Sequence, residues 1–159
     1  MPHTLRMRDL DERDRAILRE LQRDGRLTNS ELAERVNLSA SACLRRVKIL
    51  EDEGFIAGYA MLLDPARVEL PCVAFVMITL EQQGRAALDN FERAATRHPD
   101  IMECHLLAGA ADYLLRVAYR DAAHFERIHS EVLTQLPGVS RVQTTMTLRT
   151  VKKTTELAV

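Results

Sequence analysis

Thr28-Asn29-Ser30-Glu31-Leu32-Ala33-Glu34-Arg35-Val36-Asn37-Leu38-Ser39-Ala40-Ser41-Ala42-Cys43-Leu44-Arg45-Arg46-Val47-Lys48-Ile49-Leu50 predicts two helices joined by a tight turn. Thr28 and Glu31 have capping-box spacing: the hydroxyl takes the amide three residues on, and the carboxylate reaches back. Leu32, Ala33 and Val36 form the buried side of the first helix. Asn37 tolerates a left-handed backbone, so Val36-Asn37-Leu38 makes the turn. Ser39 caps the second helix, with Leu44, Val47 and Leu50 as its apolar positions. Upstream, Asp11 suits the N-cap of a further helix with acids in its first turn. Ile17, Leu18 and Leu21 give that helix an apolar stripe, and Gly25 ends it. Three short helices with this turn make a helix-turn-helix unit.

In such a unit the last helix lies in the DNA major groove and points its first residues at base edges. With Leu44, Val47 and Leu50 inward, Ser41, Ala42, Arg45, Lys48 and Ile49 face outward, with Arg46 at the edge. Hydroxyls at Ser39 and Ser41, beside free helix amides, suit phosphate. Arg45 is placed to bond guanine. Ser39, Ser41, Ala42, Arg45, Arg46 and Lys48 are therefore the candidate DNA-binding residues. A solvated basic face accounts for the same cations equally well on these residues alone.

Downstream, Gly54 to Leu63 holds a turn and a short extended segment, and Asp64-Pro65 marks a break. Pro71 to Leu80 reads as a strand, Arg85 to Arg97 as a helix and Ile101 to Ala108 as a strand. Tyr113 to Tyr119 is a third strand. Asp121 caps a helix with Phe125, Ile128, Val132 and Leu136 on one stripe, and Val142 to Val151 is a last strand. The order β-α-β-β-α-β is the split βαβ or ferredoxin-like arrangement, an α+β fold with one antiparallel sheet and both helices on one face. Cys72, Ala74, Val76 and Ile78 point one way along the first strand, and Val73, Phe75 and Met77 the other. A sheet apolar on both faces needs two covers. Helices supply one, and a second copy of the chain is expected to supply the other. The expected boundaries are a helix-turn-helix domain over 1–53, a linker over 54–70, and an oligomerisation domain over 71–159, to which the family resemblance given below adds ligand sensing.

Bulk composition adds little. The chain has 159 residues, 47% hydrophobic and 28% charged, with a net charge of −1. Residues 1–63 carry eleven Lys/Arg and eleven Asp/Glu, and residues 64–159 carry eleven and twelve. A case for DNA therefore rests on placement, not on bulk charge. Cys43, Cys72 and Cys104 fit neither a metal spacing nor a disulfide framework, which suits a reducing cytoplasm. The stretch from Met1 to Leu10 has no apolar signal core. Cys72 to Ile78, the longest apolar run, is too short to span a bilayer. His3, His98, His105, His124 and His129 are scattered and are read as structural. No metal or cofactor site and no catalytic set is expected.

The chain resembles the Lrp/AsnC, or feast/famine, family of transcriptional regulators over nearly its full length. Leu10-Asp11-Glu12-Arg13-Asp14-Arg15-Ala16-Ile17-Leu18 is similar to the family's opening. Asp24-Gly25-Arg26, Leu32 to Ser39 and Cys43-Leu44-Arg45-Arg46-Val47 are similar to its helix-turn-helix. Gly54-Phe55-Ile56-Ala57-Gly58-Tyr59 resembles its linker. Glu103-Cys104-His105-Leu106 with Gly109 and Asp112-Tyr113-Leu114-Leu115 resembles its sensor hairpin, and Leu136-Pro137-Gly138-Val139 the turn before its last strand. The resemblance implies a cytoplasmic, nucleoid-associated binder of double-stranded DNA at several linked sites. It implies a homodimer, commonly assembled into octamers, and an amino-acid effector held between dimers near the hairpin.

The expected effector residues are Leu106, Gly109, Ala110, Ala111 and Asp112, with Thr145, Met146 and Thr147 from a neighbouring subunit. Asp112 is expected to meet the ammonium, and backbone amides with the threonines the carboxylate. Uncharged surroundings favour a small or apolar effector. Two departures bear on this. Ala40 and Ala42 stand where the family often has proline, and Gly109-Ala110-Ala111-Asp112 has one carboxylate fewer than the usual hairpin. Three readings stay open: an effector-responsive regulator, a nucleoid organiser without effector, and a regulatory subunit of a biosynthetic enzyme.

Overall fold

A computed structural model of the chain describes residues 9–159. His3 and the expected lack of a signal core before Asp9 lie outside the described residues. The described chain divides into two compact units: residues up to Leu62 together with Lys152–Val159, and Leu63–Val151. The segment 152–159 returns to the first unit, which the expected boundaries do not foresee.

The first unit is three helices: α1 (Glu12–Arg23), α2 (Asn29–Arg35) and α3 (Ala40–Asp52). Each begins where a side chain can take an orphan amide. Asp11 accepts from Asp14, Thr28 and Glu31 close the full capping box, and Ser39 accepts from Ala42. After α2, Asn37 adopts φ 53°, the Leu38 amide donates to the Ala33 carbonyl and the Asn37 amide to the Glu34 carbonyl. These paired bonds around a left-handed residue are a Schellman turn. They reverse the chain within three residues and set the steep angle between α2 and α3. Gly54, at φ 78°, closes α3 in a similar left-handed conformation.

Ile17, Leu18, Leu32, Ala33, Val36, Cys43 and Leu50 are the buried core of this unit. Phe55, Ile56 and Val159 pack against it. Between Gly54 and Pro71 no strand forms, so the expected extended segment has no ladder partner. From Arg67 to Leu70, amides fold back on Asp64, Pro65 and Ala66, as the Asp64-Pro65 break requires.

The second unit is a four-stranded antiparallel sheet of β1 (Cys72–Leu80), β2 (Ile101–Leu106), β3 (Tyr113–Tyr119) and β4 (Val139–Met146), in the order β2-β3-β1-β4. Helices α4 (Arg85–Ala95) and α5 (Ala122–Arg127), with Ile128 just after α5, bring Phe91, Ala95, Phe125 and Ile128 into a core with Ala74, Val76, Ile78 and Leu80 of β1. The split βαβ reading holds, and the alternation of β1 follows the reading above.

Two details differ. α5 runs on into a π-turn (Ile128–Val132) and a 3-10 turn (Leu133–Gln135). The wider turn puts the next buried side chain five positions after Ile128, so Leu133 takes the inward place expected of Val132. β4 starts three residues early and ends at Met146 instead of Val151. The amide of Thr147 donates to Val73, close to the start of β1, so the residues beyond have no strand to pair with. Leu148 and Val151 stand exposed despite their strand propensity.

Candidate DNA-reading face and ligand site

Helix α3 is held in one rotational setting. Arg46 turns back to α1, with one guanidinium nitrogen 2.7 Å from Asp11 and 2.7 Å from Asp14. Asp14 is 0% exposed. The side chains of Asp11 and then Asp14 push the Arg46 pKa up. The Asp14 amide, and after it Arg46, hold the Asp11 carboxyl below its ordinary value of 3.8. Asn29 Nδ2 donates to the Ala40 carbonyl at 2.8 Å, tying α2 to the start of α3. Arg13 donates to the Val36 carbonyl at 2.7 Å, tying α1 to the turn. Arg46 is thus a clamp inside the unit, and the edge position expected of it on the reading face is corrected.

The face opposite the clamp is open. Ser41, Leu44, Arg45 and Lys48 are exposed, at positions i, i+3, i+4 and i+7 of one stripe. Among the described residues, Arg45 and Lys48 form no ion pair. Ser39 is committed to its cap, 3.3 Å from the Ala42 amide, and lies 3.3 Å from the Ser41 hydroxyl. Ala42 and Ile49 are half-buried, so neither stands fully on the outer face. Leu44, expected inside, is 59% exposed. Its place in the core goes to Cys43, whose thiol is pushed up by burial. Both Cys43 and Leu44 lie a helical turn before Val47, so spacing alone allows either. Residue type does not separate them either, because free Cys and Leu are both among the most often buried residues.

In the second unit, the face of the sheet away from the helices is uncovered. Directly paired residues share a face, so three rows cross it. His105, Leu114, Met77 and Gln143 form one row, and Glu103, Arg116, Phe75 and Thr145 the next. Val73 and Ala118 lie in the third. Arg116 is 2.6 Å from Glu103 and, ahead of His105, holds that carboxyl below its usual range. Phe75, in the middle of the sheet, is 40% exposed.

The expected effector residues fall at two ends of this sheet. Leu106 and Gly109 to Asp112 lie at the β2–β3 turn, next to the row of Tyr113, Ile78 and Val142. Thr145 and Thr147 lie near the far end, against Phe75 and Val73. From the Tyr113 row to the Ala118 row is five residues, or about 17 Å of strand. One chain therefore does not bring the two groups together. Met146 projects to the opposite face from its two threonine neighbours, as strand alternation dictates.

Asp112 differs from its expected role. It is only 9% exposed, and one carboxylate oxygen accepts from the Leu80 amide at 2.7 Å. The other accepts from Gln83 Nε2 at 2.8 Å, and the Asp112 amide donates to the Ile78 carbonyl. The residue staples the hairpin to the end of β1 instead of presenting a free anion. Gly109 has no positive φ, and a Cβ there would meet nothing within 4 Å, so nothing within one chain requires glycine. Among the described residues no cluster of His, Cys, Asp and Glu could hold a metal, and no helix is long and apolar enough to cross a membrane.

Residues 10–57 match winged helix-turn-helix DNA-binding domains, and residues 73–157 match the Lrp/AsnC ligand-binding domain. The chain belongs to the Lrp/AsnC family. This Lrp/AsnC chain is 41% identical to the leucine-responsive regulatory protein of Escherichia coli over 96% of its own length and 93% of that protein. It is 49% identical to an uncharacterised helix-turn-helix transcriptional regulator of Sinorhizobium fredii, over 73% of this chain and 91% of the other. Its fold matches the crystal structure of a Neisseria meningitidis transcriptional regulator in complex with L-methionine, with a TM-score of 0.90 and 39% identity. That match covers 94% of this chain and 97% of the other. The Lrp/AsnC protein is a DNA-binding transcriptional regulator with a ligand-binding domain, in a family of regulators and not of enzymes.

Proposed function

We propose that this regulator is a cytoplasmic, nucleoid-associated homodimer, built up to an octamer, whose DNA binding responds to an apolar amino acid. The observation that carries the DNA part is the open stripe on α3, fixed outward by the Arg46 clamp. Arg45 reads a base edge there, and Lys48 and Ser41 meet base or backbone. Ser39 and Ala42 sit at the helix start, where free amides favour phosphate. Dimerisation is supported by the uncovered face of Val73, Phe75, Met77 and Leu114, which a second copy buries.

The effector site is shared between subunits. Gly109, Ala110 and Ala111 supply backbone amides for the ligand carboxylate, and Leu106 supplies apolar contact. A neighbour's Thr145 and Thr147 complete it, while Met146, on the opposite face of that strand end, stays outside it. Asp112 acts as a positioning residue that holds the hairpin. The separation of the two groups within one chain supports a site completed only by assembly. The methionine bound by the Neisseria relative supports an apolar amino acid, since no charged side chain stands at the hairpin tip. A ligand held this way shifts assembly only as far as its affinities for the two assemblies differ.

One observation favours a second reading, a nucleoid organiser without effector: both oxygens of Asp112 are already engaged. Calorimetry with methionine, leucine and the other common amino acids on the full chain separates the two. Heat of binding from an apolar amino acid, with a matching change in the affinity for a selected duplex, supports the effector reading. Silence from every amino acid, with intact DNA binding, supports the organiser.

A further inference from the structure

Leu44 is a large apolar side chain on the open face of the DNA-reading helix, and among the described residues it is left 59% exposed. The core beneath is complete without it, filled by Cys43 and Leu50 with Val47 packed alongside. The Arg46 clamp fixes the rotation: Leu44 is two residues earlier, about 200° around the helix. Its companions on the stripe are Ser41, Arg45 and Lys48, all exposed. From Ser41 to Lys48 the stripe runs about 10 Å along the helix axis, the length of about three base-pair steps. The major-groove floor offers hydrogen-bond donors and acceptors at every pair, and one apolar group, the 5-methyl of thymine.

We propose that Leu44 reads a thymine in the operator by packing on its 5-methyl group. This rests on the DNA reading of α3 and makes it specific. Arg45, the next residue, takes a guanine edge in an adjacent step, so the stripe selects a thymine beside a guanine. An apolar contact of this kind discriminates against cytosine, whose C5 carries no methyl, and leaves the pairing of the duplex untouched.

The test uses the full chain and duplexes enriched from a random pool by wild-type protein. Each thymine of the enriched site is replaced in turn by deoxyuridine, which removes the methyl and keeps the pairing. At one thymine per half-site, wild-type affinity is expected to fall about fourfold, the value of one buried methyl. Leu44→Ala is expected to bind the thymine duplex weakly by the same factor and to be indifferent to uracil. Leu44→Met, still apolar, is expected to keep most of the discrimination. Thermal unfolding of both variants checks that the exposed site tolerates them.

The proposal is overturned if no thymine shows the effect, or if Leu44→Ala loses as much as wild type on uracil substitution. It is also overturned if Leu44→Ala changes the sedimentation coefficient and weakens all duplexes alike, since Leu44 then packs on a second copy of the chain. A pool that yields no enriched sequence overturns the DNA reading itself, whereas enrichment without coupling overturns only the role of Leu44.

Discussion

Arg45 and Arg46 are neighbours in sequence and opposites in role. Arg46 joins the buried Asp14 and the capping Asp11. Removing it takes an ion pair at 2.7 Å from a carboxylate that is shut off from water, so Arg46→Ala is expected to destabilise the first unit by about 1–3 kcal/mol. Urea unfolding followed by helix signal measures this, and an unchanged midpoint refutes the clamp. Among the described residues Arg45 touches no carboxylate, so Arg45→Ala is expected to leave that midpoint alone. It is expected to cost about 1–3 kcal/mol on the selected duplex and to relax base preference. Equal loss on random duplex, with a shallower salt slope, assigns Arg45 to phosphate instead.

Asp11 adds a pH dependence. Its folded pKa lies below the ordinary 3.8, so its contribution is present above that value and lost as pH falls through the lower folded value. Stability of the first unit is expected to drop below about pH 4. The drop is expected to be smaller in Arg46→Ala, though not abolished, because the Asp14 amide is the larger cause. A drop of the same size in both proteins removes Arg46 from the account.

The elements of the first unit are held by their ends. The Thr28–Glu31 box closes α2, a helix of only seven residues. So short a helix has little cooperativity of its own, and its cap carries a large share of its stability. Thr28→Ala is expected to cost about 1 kcal/mol. Because α2 packs Leu32 and Ala33 into the core that seats α3, the loss appears in both unfolding midpoint and DNA affinity. Unfolding and gel-shift measurements on the one variant check the link, which fails if stability falls and affinity is untouched below the midpoint. In the second unit, α5 shows what periodicity alone misses. Phe125, Ile128 and Leu136 follow a regular stripe, and the π-turn between them moves the inward place from Val132 to Leu133. A π-turn has no apolar spacing of its own, so periodicity does not foretell it.

At the scale of the whole molecule, the proposed dimer places a second copy over the open face of the sheet. Phe75 is central to that face, with Arg116 and Thr145 as its cross-strand neighbours. Phe75→Lys puts an ammonium where it is solvated in a single chain and buried in a dimer. It is therefore expected to give a folded monomer, because burying an unpaired charge costs more than the interface returns. Sedimentation of the full-length variant, with circular dichroism as a check on folding, tests this. A folded dimer of unchanged mass rejects the face. If effector binding needs groups from two subunits, the same variant also loses it.

The sequence by itself determined the helix-turn-helix, its three caps, the left-handed Asn37 and the order of strands and helices. These are local facts: a hydroxyl and an amide three residues apart, or an alternation of apolar side chains, act over one or two turns of chain. It also carried the family, through spaced matches along nearly the whole length. Only the tertiary structure decided which of two adjacent residues, Cys43 or Leu44, faces the core, since both satisfy the same spacing. It alone turned Arg46 inward to Asp14, ended β4 where β1 has nothing left to pair, and engaged both oxygens of Asp112. Each of these depends on what another segment, dozens of residues away, places alongside, and no local pattern encodes that distance.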